Sequence, residues 1–309
     1  MEWKIVEERI LQDDQSKWDR KVTAKGMRVS SSGALELSNG DGPAARFAVS
    51  DLAVGQLCQK LEIPVAYYRR LPGEMKAVVA NHDLGRLNGH SYLLRGKGEW
   101  IRAFLSADYV PYNNAQIAET ADILLKKADI SVKSFVIEET HLFVKVVSGE
   151  ITDQASGLKA GVMVGNSEVG MGSISVEPFV FRLACTNDLV VAQEKSFKHA
   201  HIHLTAHELN RRMAEALSNA FKIASSTMDA FLKTREEPVV DPAETIRKLA
   251  TERNMSQKFA DQVVSRYQAE PEPNRFGVIN AFTSAAQLLA PLQRIEVERF
   301  AGTLLTAHL

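Results

Sequence analysis

Four segments between residues 131 and 183 alternate apolar with polar side chains, and only short connections join them. A period of two is the mark of a strand with one face buried. The segments are 131–138, 141–147, 158–165 and 173–183, linked by Glu139-Thr140, by a Gly/Asp/Ser turn region, and by Gly165 through Gly170. A parallel pair needs a crossover of about a dozen residues or more, so links this short make neighbours antiparallel. The expected result is a four-strand meander. What covers it is also readable. Thr205-Ala206-His207-Glu208 forms a capping box, and Leu209, Met213, Ala216, Leu217, Ala220, Phe221, Ala224, Met228 and Phe231 follow at spacings of three and four. A stripe of that kind is most often core, so one face of the meander should lie under a long helix.

On either side the pattern changes, which suggests three regions: 1–128, 129–236 and 237–309. Residues 1–49 read as short strands and turns around Gly33, Asn39-Gly40 and Asp41-Gly42-Pro43. Ser50 is a plausible N-cap for a helix from Asp51, and Pro64 opens a short helix over 65–71. A hairpin follows, with Tyr92-Leu93-Leu94-Arg95 and Ile101-Arg102-Ala103-Phe104-Leu105 joined by Gly96-Lys97-Gly98. Asn113 or Asn114 then caps a helix to about Ala128. Beyond Glu236-Glu237-Pro238, an Asp241 cap with Pro242 at the first helical position begins a helical end, with helices near 242–253, 256–268, 278–290 and 292–306. The fold class is therefore α+β: a central antiparallel meander under a long helix, with a mixed N-terminal and a helical C-terminal region.

Composition bounds the function. Of 309 residues, 45% are hydrophobic and 24% charged, as expected of a chain with a real core. No run approaches the roughly 18 consecutive apolar residues of a membrane span, and the charged first residues lack a secretory stretch. Cys58 and Cys185 are far apart and form no metal or redox pair, which fits a reducing compartment, and the cytoplasm is expected. The net charge of −1 argues against coating DNA by bulk charge but leaves room for a local basic groove.

No catalytic pattern stands out, and no enzyme activity or cofactor is expected. Gly170-Met171-Gly172-Ser173 lacks the third glycine of a dinucleotide fingerprint and lies between strands. Glu138 and Glu139 are neighbours that a strand would point to opposite faces. In a strand, His199, His201 and His203 would share a face, and three neutral imidazoles there could bind a transition metal. The alternative is a polar lead-in to the long helix, with Lys195 and Lys198 beside it, which also suits a phosphate backbone. Arg95, Arg102, Lys133, Lys145, Lys159 and Arg182 alternate with apolar residues, and Arg211 and Arg212 stand at the start of the long helix. Sharing one groove, such cations would track phosphates, while Tyr92, Trp100, Tyr109 and Tyr112 offer stacking surfaces. For each one alone, a surface charge or a core aromatic is the plainer reading.

The motifs Leu93-Leu94-Arg95 with Arg102-Ala103-Phe104-Leu105-Ser106-Ala107-Asp108-Tyr109 (LLR…RAFLSxxY), Asn166-Ser167-Glu168-Val169-Gly170 (NSExG), Phe181-Arg182-Leu183-Ala184-Cys185-Thr186-Asn187 (FRLxCTN) and Ile279-Asn280-Ala281-Phe282-Thr283 resemble those of a family of unknown function common in phages and plasmids. The order of meander and long helix is similar to the core of single-strand annealing proteins, the recombinases that pair complementary strands. This resemblance implies single-stranded DNA as partner and a homo-oligomer, and the lack of a membrane-length apolar run adds the expectation of no membrane. Phosphates would lie between meander and helix, held by Lys145, Lys159, Arg182, Lys195, Lys198, His199, Arg211 and Arg212. Two alternatives remain open: a protein-interaction or structural component of a mobile element, and a metal-dependent enzyme built on His199, His201 and His203.

Overall fold

In the computed structural model, which describes residues 2–307 apart from 40–41, 88, 126–128, 154–156, 183–186, 191–195 and 203, the alternating segments form β7 (Ile130–Ile137), β8 (Leu142–Asp153), β9 (Leu158–Asn166) and β10 (Ile174–Arg182). All pair antiparallel in sequence order. Two short strands, β11 (Asn187–Val190) and β12 (Phe197–His199), pair with different stretches of β10. This is the expected meander.

Alternation sorts its side chains. Val144, Val146, Val162, Val164, Ile174 and Val176 share a core with Leu209, Met213 and Leu217 of helix α6 (Ala206–Lys233). Further along, Leu158, Ala160 and Val180 meet Ala224, Met228 and Phe231 of the same helix. Thr205 caps it, its hydroxyl accepting the Glu208 N–H at 3.2 Å. Each large apolar side chain buried is worth about 1.5–3 kcal/mol, so the stripe dominates this helix's placement and leaves no groove beneath it.

The C-terminal helices α7 (Pro242–Glu252), α8 (Gln257–Ala269), α9 (Arg275–Ala286) and α10 (Pro291–Thr303) extend that core. They also do something the alternation left open. Ile295 of α10 packs with Phe143, Val147, Met163 and Phe179 on the face of the meander turned away from α6. Both faces of the sheet are covered.

The N-terminal part builds a second six-stranded sheet from β1 (Lys17–Thr23), β2 (Met27–Val29), β3 (Leu35–Asn39), β4 (Gly42–Val49), β5 (Ser91–Lys97) and β6 (Trp100–Ser106), in the order β1-β5-β6-β4-β3-β2. Among the described residues, only β4 and β6 pair in parallel. Helices α2 (Asp51–Lys60), α3 (Val65–Arg70) and α4 (Gly73–Arg86) lie against it, and Ser50 caps α2 by accepting the Ala53 N–H at 3.2 Å. The chain does not begin with strands, as its turn-rich opening suggested. Residues Trp3–Asp14 form α1, whose Val6 and Ile10, one turn apart, are buried beside Ile117 of α5 (Asn114–Leu125). Two buried anchors among seven charged or amide side chains are too few to show as periodicity. The partner helix supplies the rest. Among the described residues, no helix is long and apolar enough to cross a membrane.

Candidate functional site

The cations expected to share a groove are divided by the sheet. Lys145 points away from α6 and is buried, its ammonium 2.7 Å from Asp188 and paired also with Glu298 of α10. Lys133 pairs with the same Asp188 and lies over the Phe181 ring; burial pushes its pKa down to about 8, against the pull of Asp188. Lys159 stands opposite Phe181 in the ladder, again on the α10 face. Arg182 reaches Glu270 at 2.9 Å, beside the C-terminal helices. Lys198 lies 3.7 Å from Glu177, which Arg299 also holds. Arg211 and Arg212, exposed on the first turns of α6, are bound to Glu208 and Glu215. Lys195 falls outside the described residues. The expected groove between meander and helix is not formed, because packed aliphatic side chains occupy that space, and Lys133, Lys145 and Arg182 are each held by a carboxylate.

The histidines separate as well. Strand β12 ends at His199, so the alternation that would align it with His201 stops there. His201 turns inward, 3% exposed, and stacks on Tyr109 with ring centroids 4.9 Å apart. His203 lies outside the described residues. Among the described residues no three His, Cys, Asp or Glu stand where they could hold a metal ion. Cys58 is buried, and Cys185 lies outside the described residues. The tyrosines offered as stacking surfaces, Tyr92, Tyr109 and Tyr112, are buried.

What the motifs do bring together is a charged knot between the two sheets. Glu168, from the NSExG segment, is buried, with Oε2 2.8 Å from Lys17 and 3.2 Å from Arg102, while Oε1 accepts the Asn114 N–H at 2.8 Å. Burial alone would raise its pKa; Lys17, the Asn114 N–H and Arg102 outweigh that and hold it below the ordinary glutamate value. Arg95 binds Asp19 at 2.7 Å and donates to the Glu168 carbonyl at 2.8 Å. Tyr109 donates its hydroxyl to the Ser167 carbonyl at 3.0 Å. Losing one partner of such a set leaves a buried charge uncompensated, so these residues fasten the sheets together.

Two clefts flank the knot, and their linings differ in sign. One, of about 650 Å³, is bordered by four carboxylates, Asp13, Asp51, Glu138 and Glu139, against two cations, Lys97 and Arg102, with Trp100 55% exposed at its side. The other, of about 500 Å³, contains no carboxylate. It is bordered by Gln59 and Lys60 of α2, Ser106 and Tyr109 after β6, the Gly170–Ser173 loop, and His201. Its walls are fixed. Gln56 donates to the Val169 carbonyl and accepts the Phe104 N–H, each at 2.8 Å. Gly170 has φ of +76°, and a Cβ there would lie 2.7 Å from Leu105 Cδ2. His201 Nδ1 is 3.3 Å from the Val110 carbonyl, and its Nε2, though buried, has no partner among the described residues. Burial, the largest influence, lowers the His201 pKa to about 4, so the ring is neutral at pH 7. With Nδ1 donating to Val110, Nε2 carries the lone pair. A buried polar atom left unsatisfied costs about 1–3 kcal/mol.

The N-terminal sheet and its helices together carry a feature missed in the motifs. Residues 17–102 hold 14 Lys and Arg against eight Asp and Glu, a net charge of +6 in a chain whose total is −1. Lys17, Arg95 and Arg102 are used in the knot. Arg28, Arg46, Arg69 and Arg70 are exposed, and Lys76 partly so. Several of them gather at one place. Arg69 and Lys76 border a small cavity with Gly33, and Arg46 binds Ser32 of the same Ser30–Gly33 turn. Tyr67, 45% exposed on α3, stands two residues before Arg69. The run Tyr67-Tyr68-Arg69-Arg70 is the signal that would have pointed here.

Residues 103–294 match the model of a family described as a domain of unknown function (DUF932). No curated protein and no solved structure matches the chain.

Proposed function

The chain belongs to the DUF932 family, whose description names no reaction, and we propose on that premise that it binds single-stranded nucleic acid through exposed cations of its N-terminal sheet and of the helices against it. The observation that carries this reading is the sorting of charge. Lys133 and Lys145 of the meander are spent on internal carboxylates, whereas the cations around the Ser30–Gly33 turn face solvent. A clustered positive field attracts phosphates whatever the sign of the whole chain. Arg46, Arg69, Arg70 and Lys76 would contact the backbone, and Tyr67 would offer a face to a base. The order of meander then long helix, similar to that of annealing-protein cores, supports extending the reading to strand annealing by an oligomer, in the setting of a phage or other mobile element.

The test is the salt dependence of binding to a labelled single-stranded oligonucleotide. Four or so phosphate contacts give a slope of log K against log salt of about −3 for a single strand. Affinity that does not change with salt, or no binding at low salt by folded protein, would contradict the reading.

A second reading has its own observation. The exposed Trp100 beside Asp51, Glu138 and Glu139 suits a cationic side chain of a protein partner, through cation–π attraction and ion pairing. Binding of an arginine-rich peptide that Trp100→Ala abolishes would favour an interaction protein; failure of that peptide to bind would remove this alternative.

A further inference from the structure

We propose that the cleft between Lys60 and the Gly170–Ser173 loop is a nucleotide site, holding a phosphate at Lys60 and the loop and a base hydrogen-bond donor at His201. This rests on the nucleic-acid reading and adds a specific seat to it. Four observations lead there. The first is the cleft's size. Its volume of about 500 Å³ falls in the range of small-ligand sites and suits one nucleotide better than a length of strand.

The second is its charge. Of the two clefts beside the knot, this one has no carboxylate in its lining, and Lys60 makes no ion pair among the described residues. An anion is admitted where the acidic cleft would repel it.

The third is unused hydrogen-bonding capacity. Lys60, Gln59, Ser106 and Ser173 border the cleft without a side-chain hydrogen bond among the described residues. His201 adds a buried Nε2 with no partner among the described residues. The ring's other nitrogen and its stack on Tyr109 fix its orientation, so the lone pair is preset to accept. Nε2 requires an N–H or O–H donor, which a phosphate dianion lacks and every common base has.

The fourth is rigidity. Gln56 ties α2 to both Val169 and Phe104, and the Met171 N–H is held by Ser167 Oγ at 3.0 Å. The loop is therefore pinned against β6 before any ligand arrives, which reduces the ordering cost of binding.

The chemistry is shared by a free nucleotide and by a nucleotide within a strand, so the experiment separates them. Deoxycytidine 5′-monophosphate, deoxycytidine and inorganic phosphate are titrated into the full chain by calorimetry, alongside a single-stranded oligonucleotide. The monophosphate is expected to bind about tenfold more tightly than the nucleoside, one charged phosphate contact being worth roughly that factor. Lys60→Ala, at an exposed position that leaves the core intact, should erase that difference. His201→Phe, which keeps the stack but not the acceptor, should weaken monophosphate and nucleoside alike. If the monophosphate fails to bind while the oligonucleotide binds with normal salt dependence, the cleft assignment is overturned and the cationic-face reading stands. If the monophosphate binds through Lys60 while the oligonucleotide does not bind, the cleft is a site for free nucleotides and the strand reading falls. Monophosphate binding untouched by Lys60→Ala also overturns the assignment.

Discussion

The two sheets use cations in opposite ways. On the meander, Lys133 and Lys145 are turned into the layer beneath α10, where Asp188 and Glu298 neutralise them. On the N-terminal sheet, the knot consumes Lys17, Arg95 and Arg102, while the helix layer leaves Arg69 and Arg70 in water. Both regions look alike in sequence, as basic residues interleaved with apolar ones. The difference is what covers each face: a strand cation facing a second layer is structural, and one facing solvent is available to a ligand.

The sharpest way to break this contrast is at Lys145. Replacing it with Ala removes one of the cations held between Asp188 and Glu298 and leaves Lys133 and Arg294 beside them, so the loss should lie at the low end of the about 3–5 kcal/mol that a buried pair broken on one side costs. Denaturant unfolding should show that loss, with oligonucleotide affinity of the remaining folded protein unchanged. A variant of normal stability and weakened binding would reverse the assignment of this region.

Next in size is His201. Its folded-state pKa of about 4 lies below the ordinary 6.5, so the unfolded chain takes up the proton first as pH falls. The contribution is whole above pH 6.5 and is lost between 6.5 and 4, amounting to about 3 kcal/mol at most. Unfolding free energies measured over that window should fall with pH in the wild type and fall less in His201→Phe. Parallel curves would place His201 in a more polar setting than its burial indicates.

A smaller effect belongs to the loop. Gly170→Ala forces a side chain into the left-handed region against Leu105. A loss of about 1–2 kcal/mol of stability should follow from that conformation. Chemical denaturation showing no loss would mean the loop has another conformation open to it.

How far the sequence could lead follows from the same contrast. Period-two alternation and the capped stripe of α6 carried the meander and its helix, because burial on one face is written into the order of side chains. Ser50, Thr205 and Asp241 each cap the helix expected of them. Helix α1 was hidden because Val6 and Ile10 are all the core it supplies. The site was harder to read for a physical reason: alternation says which residues share a face but not what lies over it. Lys145 and Lys159 were expected to face the long helix, yet they lie on the other face, under α10, far along the chain. The knot was equally out of reach, since Glu168 meets Lys17 only when two sheets dock. By contrast, the crowding of charge in residues 17–102 needed no docking and was open to a windowed count.

The most direct measurement compares two charge reversals in binding a labelled single-stranded oligonucleotide at low salt. Arg69→Glu/Arg70→Glu alters the open cationic face, and Arg211→Glu/Arg212→Glu alters exposed arginines already held by Glu208 and Glu215. The first pair should weaken binding by about tenfold or more, equivalent to roughly 1.4 kcal/mol, and the second by no more than about twofold. Binding that survives the first reversal and collapses with the second would contradict the account and return the interface to the start of α6.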